Sequence, residues 1–425
     1  MKRHSVVTLL LAVASIAPLA AADWPSIYGP RRDNTSDQKG VLRTWPQAGP
    51  KVLWSVPMSA GFGGPAVSNG KVYLLDRDER VGDTLRVFDL ATGKALWSYA
   101  YASPGTFMFT GSRTTPTVDG DRVYTSGPMG DLHAIDTTTR KPLWRKNIWR
   151  DFGGGSELPR WAVVQNPLVY RDLLIVAPQT PQAGIVAYDK LTGAVKWKSA
   201  ALSGTAGYVS PSIIAIGGAD NLVMITASNG RGRNARGGTV YGFDPVTGKE
   251  LWSYQGWQCP IPVPQPVDAG EGRILVTGGY NAGTAMIKVT RTANGQYSVA
   301  EVFKNPEVGA HTQAPIFHQG HFYSHDTVNE RSDGLLAMGL DGKVKWSTET
   351  RPAFVRGGAI LADGLLLTTD GDTRLYLVEP NPTAFKPLAS SVILESGDNW
   401  APLALVDGKL LVRGQKELKC LQVAQ

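Results

Sequence analysis

Apolar residues come in short bursts along this chain, and turn-forming residues break them every few positions. Pro65-Ala-Val-Ser-Asn69-Gly70-Lys-Val-Tyr-Leu-Leu75 is one burst, and Pro116-Thr-Val-Asp119-Gly120-Asp-Arg-Val-Tyr124 is another. Asn-Gly or Asp-Gly between alternating apolar residues predicts a hairpin, because these residues accept the positive φ of a tight turn. The same opening recurs at Pro167, Pro211, Pro266, Pro315 and Pro402, and Ala359 takes the equivalent place once.

A second pattern closes each unit. Asp89-Leu-Ala-Thr-Gly93-Lys-Ala-Leu-Trp97 returns as Asp136-Thr-Thr-Thr-Arg140-Lys-Pro-Leu-Trp144, as Asp189-Lys-Leu-Thr-Gly193-Ala-Val-Lys-Trp197 and as Asp244-Pro-Val-Thr-Gly248-Lys-Glu-Leu-Trp252. Leu340-Asp341-Gly342-Lys-Val-Lys-Trp346 is a shortened copy. The Asp starts a turn by accepting backbone N–H groups, Gly closes it, and the aromatic on the next strand fills space between neighbouring sheets.

Each unit therefore reads as four strands. The eight Pro/Ala markers lie 43 to 55 residues apart, the spacing of propeller repeats. The strand-ending positions are placed at Trp54, Trp97, Trp144, Trp197, Trp252, Phe303, Trp346 and Leu394. The last unit, Leu394 to about Val423, has three strands of its own, while Lys51-Val-Leu-Trp54-Ser precedes the first complete unit. The expectation is an all-β, eight-bladed β-propeller of four-stranded antiparallel blades, its N-terminal strand completing the last blade and removing the open edge. Hairpin spacing and complementary ends disfavour a β-helix or open solenoid.

Composition refines this picture. At 425 residues and 42% hydrophobic the chain suits two or three ordinary domains, but the repeat makes one unit of residues 51–425, with an arm at 23–50. Residues 1–22 read as a secretory signal: Lys2, Arg3 and His4, an apolar stretch from Val6 to Ile16, then Ala20-Ala21-Ala22. No cysteine stands near that cleavage site to carry a lipid, and no other segment is apolar enough to span a bilayer, so the protein is expected to be secreted or periplasmic and monomeric. The formal charge of +7 is spread along the chain and excludes a concentrated nucleic-acid face. Cys259 and Cys420 fall in non-adjacent repeats and are expected to be separate buried thiols.

The Asp-x-x-Thr-Gly-Lys-x-x-Trp ending resembles the repeat of pyrroloquinoline-quinone (PQQ) propellers, and the leader Trp24-Pro-Ser-Ile-Tyr28-Gly29-Pro30-Arg31-Arg32-Asp33 is similar to the arm of exported bacterial members. The resemblance implies PQQ-dependent alcohol dehydrogenases, an outer-membrane assembly lipoprotein, or exported proteins of unassigned role. The dehydrogenases hold PQQ with a vicinal Cys-Cys, a stacking Trp and Ca²⁺, and this chain has neither a Cys-Cys pair nor a Cys-x-x-Cys-His. The favoured expectation is a binding or scaffold propeller for an envelope protein or glycan. The alternative is a divergent dehydrogenase using PQQ with Ca²⁺.

Antiparallel pairing brings the start of each innermost strand and the end of each second strand to one mouth of the ring. Arg113, Trp161, Gln165, Tyr208, Arg356 and Trp400 gather there as candidate cofactor-binding residues: arginines and amides pair with carboxylates, and aromatics stack on flat ligands or sugar faces. In the quinoprotein alternative, Trp161 or Trp400 stacks the cofactor and Arg113 or Arg356 binds its carboxylates. His311, His325 and Asp326 flank one hairpin; hydrogen-bonded structural roles are preferred to a metal or proton-transfer site. The loop Asn229-Gly-Arg231-Gly-Arg233-Asn-Ala-Arg236-Gly-Gly reads as solvated, though basic enough to grip an anion. Trp257 with Pro260-Ile-Pro262-Val-Pro264 reads as a rigid rim wall.

Overall fold

The Asp turn does the local work expected of it. In a computed structural model, which describes residues 23–230, 234–329 and 334–425, Asp89 Oδ1 accepts the Thr92 N–H at 2.8 Å and the Thr92 hydroxyl at 2.7 Å, and Gly93 closes the turn at φ 71°. Asp244 repeats it with the N–H groups of Val246 and Thr247 at 2.8 and 2.9 Å. Arg140 stands in the glycine position of the second copy and is forced to φ 62°.

Each turn glycine also meets the aromatic of the preceding unit. A Cβ on Gly93 would lie 2.7 Å from the Trp54 ring, one on Gly193 2.7 Å from Trp144, and one on Gly342 2.5 Å from Phe303. The indole N–H groups complete the joint: Trp54 donates to the Leu90 carbonyl at 2.9 Å, Trp144 to Lys190 at 3.2 Å and Trp346 to Asn381 at 2.7 Å. The repeat thus couples blade to blade, and glycine is needed there both for φ and for room.

Eight sheets result, each built on four antiparallel strands. Blade 1 comprises Ala66–Ser68, Lys71–Asp78, Gly82–Asp89 and Ala95–Ala102. Blade 8 comprises Ala404–Val406, Lys409–Arg413 and Glu417–Gln422, with Lys51–Pro57 as its outer strand and Trp54 opposite Cys420. The N-terminal strand therefore closes the ring. One position is corrected. In every other blade the closing aromatic sits just past a bulge, as Trp97 does opposite Val87, and in blade 7 that register holds Ala389. Leu394 follows the strand Lys386–Val392 instead. The blade-7 turn, Glu379-Pro-Asn-Pro, lacks the glycine that anchors the count, so the spacing slipped by five residues.

Arg413 seals the seam between blades 8 and 1. Its fully buried guanidinium donates to the carbonyls of Gly63 and Leu75 at 3.0 Å each and to the Ser112 hydroxyl at 2.7 Å. Burial pulls its pKa down to about 10. Cys259 and Cys420 are separate buried thiols, as expected.

The arm does more than lead into the ring. Trp24 exchanges both backbone hydrogen bonds with Val67 of blade 1 (2.9 and 2.8 Å), and Val118 of blade 2 donates to the Pro25 carbonyl at 2.7 Å. Arg32 reaches the carbonyls of Pro167 and Pro211, at the entries of blades 3 and 4, at 3.4 Å each. Thr35–Ser36 then pairs in parallel with Leu361 and Ala362, adding a fifth strand to blade 7. The segment crosses the central channel and gives it a floor.

Candidate functional site

Above that floor lies a cavity of about 440 Å³ at the mouth of the ring. Its walls follow from strand alternation. In blades 2 to 5 the residues one and three positions before the proline face inward, so that Arg113 and Thr115, Val164 and Asn166, Tyr208 and Ser210, Val263 and Gln265 all line it, whereas in blades 6 and 8 Gln313 and Trp400, two positions before Pro315 and Pro402, do so. Phe62 and Arg356 hold the third-position place in blades 1 and 7, and Ile27 and Tyr28 of the arm supply the base.

Of the six candidate residues, Arg113, Trp161, Tyr208, Arg356 and Trp400 line this cavity. Gln165 does not. It sits two positions before Pro167, on the opposite face of the extended segment, and its amide donates to the Gly207 carbonyl at 2.6 Å. Ile261 and Val263, within the proline-rich connector, form part of the wall, while Trp257 is buried with its indole N–H on the Ala282 carbonyl at 3.1 Å.

The aromatics form two groups. Phe62, Phe109 and Trp400 cluster at blades 8 and 1, with Phe62 and Trp400 centroids 5.0 Å apart. Trp161, Tyr208, Tyr280 and His311 cluster on blades 3 to 6: Trp161 stacks on Tyr280 at 5.9 Å and Tyr280 meets His311 edge-on at 4.5 Å. Blades 8 and 1 lie across an eight-membered ring from blades 4 and 5, so the two groups face each other.

The cavity's charge is of one sign. Arg113, Arg160 and Arg356 line it, and among the described residues no aspartate or glutamate does. Arg356 lies over Trp400 at 4.8 Å and Arg160 over Trp161 at 5.4 Å. Arg113 donates to the Met108 carbonyl at 2.6 Å and to that of Phe109, and burial lowers its pKa to about 10. The carboxylate that acts on it, Glu79, is itself paired with Arg77 at 2.9 Å. Such guanidinium groups are suited to carboxylate or phosphate.

The histidine cluster resolves into separate roles. His311 lines the cavity; burial, reinforced by Arg356, pushes its imidazole down to about 3, so it is neutral at ordinary pH. His325 is fully buried with Nε2 2.9 Å from the Thr369 carbonyl, and Asp326 accepts the Gly309 N–H at 3.0 Å. Among the described residues no three His, Cys, Asp or Glu side chains come together to hold a metal ion. Asn229 and Arg236 pair as a β-bridge at the base of the basic loop, and Arg231 and Arg233 lie outside the described residues, as do residues 1–22, where the secretory signal is expected. Arg77, at the end of a second strand, is buried against Asp83 at 3.0 Å and is unavailable to a ligand.

With this geometry in view, similarity to known proteins is informative. The family described as outer membrane protein assembly factor BamB matches residues 34–160 and 83–348, more than half the chain. The chain belongs to this PQQ-repeat propeller family. Among curated proteins, this PQQ-repeat chain is 28% identical to the quinoprotein ethanol dehydrogenase of Pseudomonas aeruginosa over 161 residues, which is 37% of this chain and 24% of that protein. It therefore spans well under two thirds of that relative. Among solved structures, a europium-containing methanol dehydrogenase superposes with a TM-score of 0.66 at 16% identity, covering 94% of this chain and 89% of the other. BamB from Moraxella catarrhalis gives 0.58 at 14% identity, covering 88% and 97%. At these identities the structures share the fold alone.

Can this cavity take PQQ with Ca²⁺? The ion requires six to eight oxygen ligands, several of them carboxylate. Among the described residues the lining supplies amides and hydroxyls but no carboxylate, and three guanidinium groups repel a dication. The described residues of the lining do not fit a calcium-bound quinone.

Proposed function

We propose that this PQQ-repeat propeller is an exported binding or scaffold protein of the cell envelope, with the mouth cavity as a site for a small anionic ligand or the anionic end of a glycan. The observation that carries this reading is a cavity lined by three arginines and two facing aromatic groups, with no carboxylate among the described residues of its lining. Arg113 and Arg356 would pair with the anion, while Trp161, Tyr208 and Trp400 would pack its apolar faces. The outer strands and rims would remain available to an envelope protein. The family match to an outer membrane assembly factor and the basic, apolar leader support the export reading. Among the described residues no helix is long and apolar enough to cross a membrane.

The test is calorimetric titration with small carboxylates and their uncharged amides. Carboxylates should bind and amides should not, and Arg113→Gln with Arg356→Gln should abolish the difference. Equal binding of acid and amide would remove the proposal.

A second reading, a dehydrogenase-like quinoprotein, draws on the partial match to quinoprotein ethanol dehydrogenase. It predicts uptake of PQQ with Ca²⁺ and alcohol-dependent dye reduction by the purified protein. The acid-free lining argues against the calcium, and PQQ affinity unchanged by alanine at Arg113 and Arg356 would end this reading.

A further inference from the structure

A second cavity, about 520 Å³, opens outward beside the first and shares Arg160, Trp161, Tyr208 and Ile261 with it. Trp149, Glu157, Gln179 and Thr205 line this second cavity and not the first. The four shared residues place the two cavities side by side.

The wall of the inner cavity carries a more specific requirement. Gln265 is 3% exposed, and both its amide nitrogen and its amide oxygen are without a protein partner. The buried Nδ1 of His311 is likewise unpartnered, while its ring is hydrogen-bonded to the Thr327 backbone. The buried Trp161 Nε1 and the Nε atoms of Arg113 and Arg356 are unpaired donors. A ligand meeting this set must both donate and accept hydrogen bonds. A flat aromatic carboxylate only accepts, and would leave Gln265 Oε1 unmatched. Hydroxyl groups do both.

From these observations we infer that the two cavities join as one groove that binds an acidic oligosaccharide: a carboxylated sugar in the inner cavity, its carboxylate on Arg113 and Arg356 and its hydroxyls on Gln265, and the next sugar against Trp149 in the outer cavity. This rests on the anion-site reading above and adds to it the ligand's class and length. The direction of the chain follows from charge, since the acid-free cavity is the inner one and Glu157 borders the outer one. Sugar C–H faces pack on Trp149 and Trp161 as the aromatic walls require.

The experiment is calorimetric titration of the full-length protein with galacturonate, digalacturonate, neutral digalactose and naphthalene-2,6-dicarboxylate. Digalacturonate should bind at least ten-fold more tightly than galacturonate and than digalactose. Trp149→Ala should bring the two uronate affinities towards one value. Gln265→Leu should weaken digalacturonate ten-fold or more and narrow its lead over the naphthalene diacid. Thermal midpoints matching the parent protein will show that each variant is folded, and Trp149→Ala keeps the test alive if Gln265→Leu is not. Tighter binding of the naphthalene diacid than of digalacturonate overturns the sugar assignment while leaving an anion site. Equal binding of digalactose and digalacturonate, or no binding by any probe, overturns both.

Discussion

Replacing Trp54 by alanine attacks ring closure at its one joint between chain ends. Trp54 is 8% exposed, packs on Gly93 and donates to the Leu90 carbonyl at 2.9 Å. Truncating a buried Trp to Ala costs about 3–5 kcal/mol, and orphaning a buried carbonyl about 1–3 more. A loss of about 5 kcal/mol is a large share of a typical folding free energy of 5–15 kcal/mol. With an unfolding entropy of about 2 cal/mol/K per residue over roughly 400 residues, the thermal midpoint should fall by about 6 °C. Val52 lies on the same strand but is 50% exposed, so Val52→Ala should change stability by less than about 0.5 kcal/mol. Urea unfolding followed by tryptophan fluorescence and calorimetry measures both. A Trp54→Ala loss under about 1 kcal/mol, or equal losses at both positions, would refute the claim that this strand locks the ring.

Three further outcomes are expected. Gly248→Ala should destabilise more than Gly364→Ala in a denaturation series, because both are at φ near 70° but a Cβ at Gly248 strikes the Trp197 ring while one at Gly364 meets open space. His133, His311 and His325 are held by burial at about 4, 3 and 4, below their unfolded values, so they stay neutral when folded and take up protons on unfolding. Their contribution is complete above about pH 6.5 and is lost as pH falls towards 4; the thermal midpoint should drop between pH 7 and 5, and less so in His325→Gln. Asp83, raised by burial to about 6, works in the opposite direction and blunts this slope. Arg413→Met should lower the midpoint by several degrees, since the Gly63 and Leu75 carbonyls lose their donor, whereas exposed Arg80→Met should be neutral in the same scan.

The blades were legible because their instructions are local. The Asp-to-Gly turn, the hairpin dipeptides and the closing aromatic each act within a dozen residues, and repetition supplies the topology. Blade 7 shows the limit: without its turn glycine and its tryptophan, spacing alone mistook Leu394 for the position that Ala389 occupies. The mouth was legible for a different reason, since antiparallel geometry sends every pre-proline segment to the same end. What spacing did not assign was the face. Asn166 turns into the cavity and Gln165 turns away from it, a difference of one residue in an extended segment. In blades 2 to 5 alternation turns positions one and three before the proline inward and would have singled out Thr115, Ser210 and Gln265 as well, but it would have missed Gln313 and Trp400, which line the cavity from two positions before their prolines. Ile27 and Tyr28 could not be placed in this way. They reach the cavity only because the arm crosses the channel, a long-range path that no local pattern in the arm specifies.

A crystal structure of the protein grown with digalacturonate would be the most direct examination of the mouth as a binding site. Density for a carboxylate within hydrogen-bonding distance of Arg113 or Arg356, with a hydroxyl on Gln265, is the expected result. A sugar bound elsewhere on the ring, with the cavity holding only solvent at saturating concentration, would contradict it.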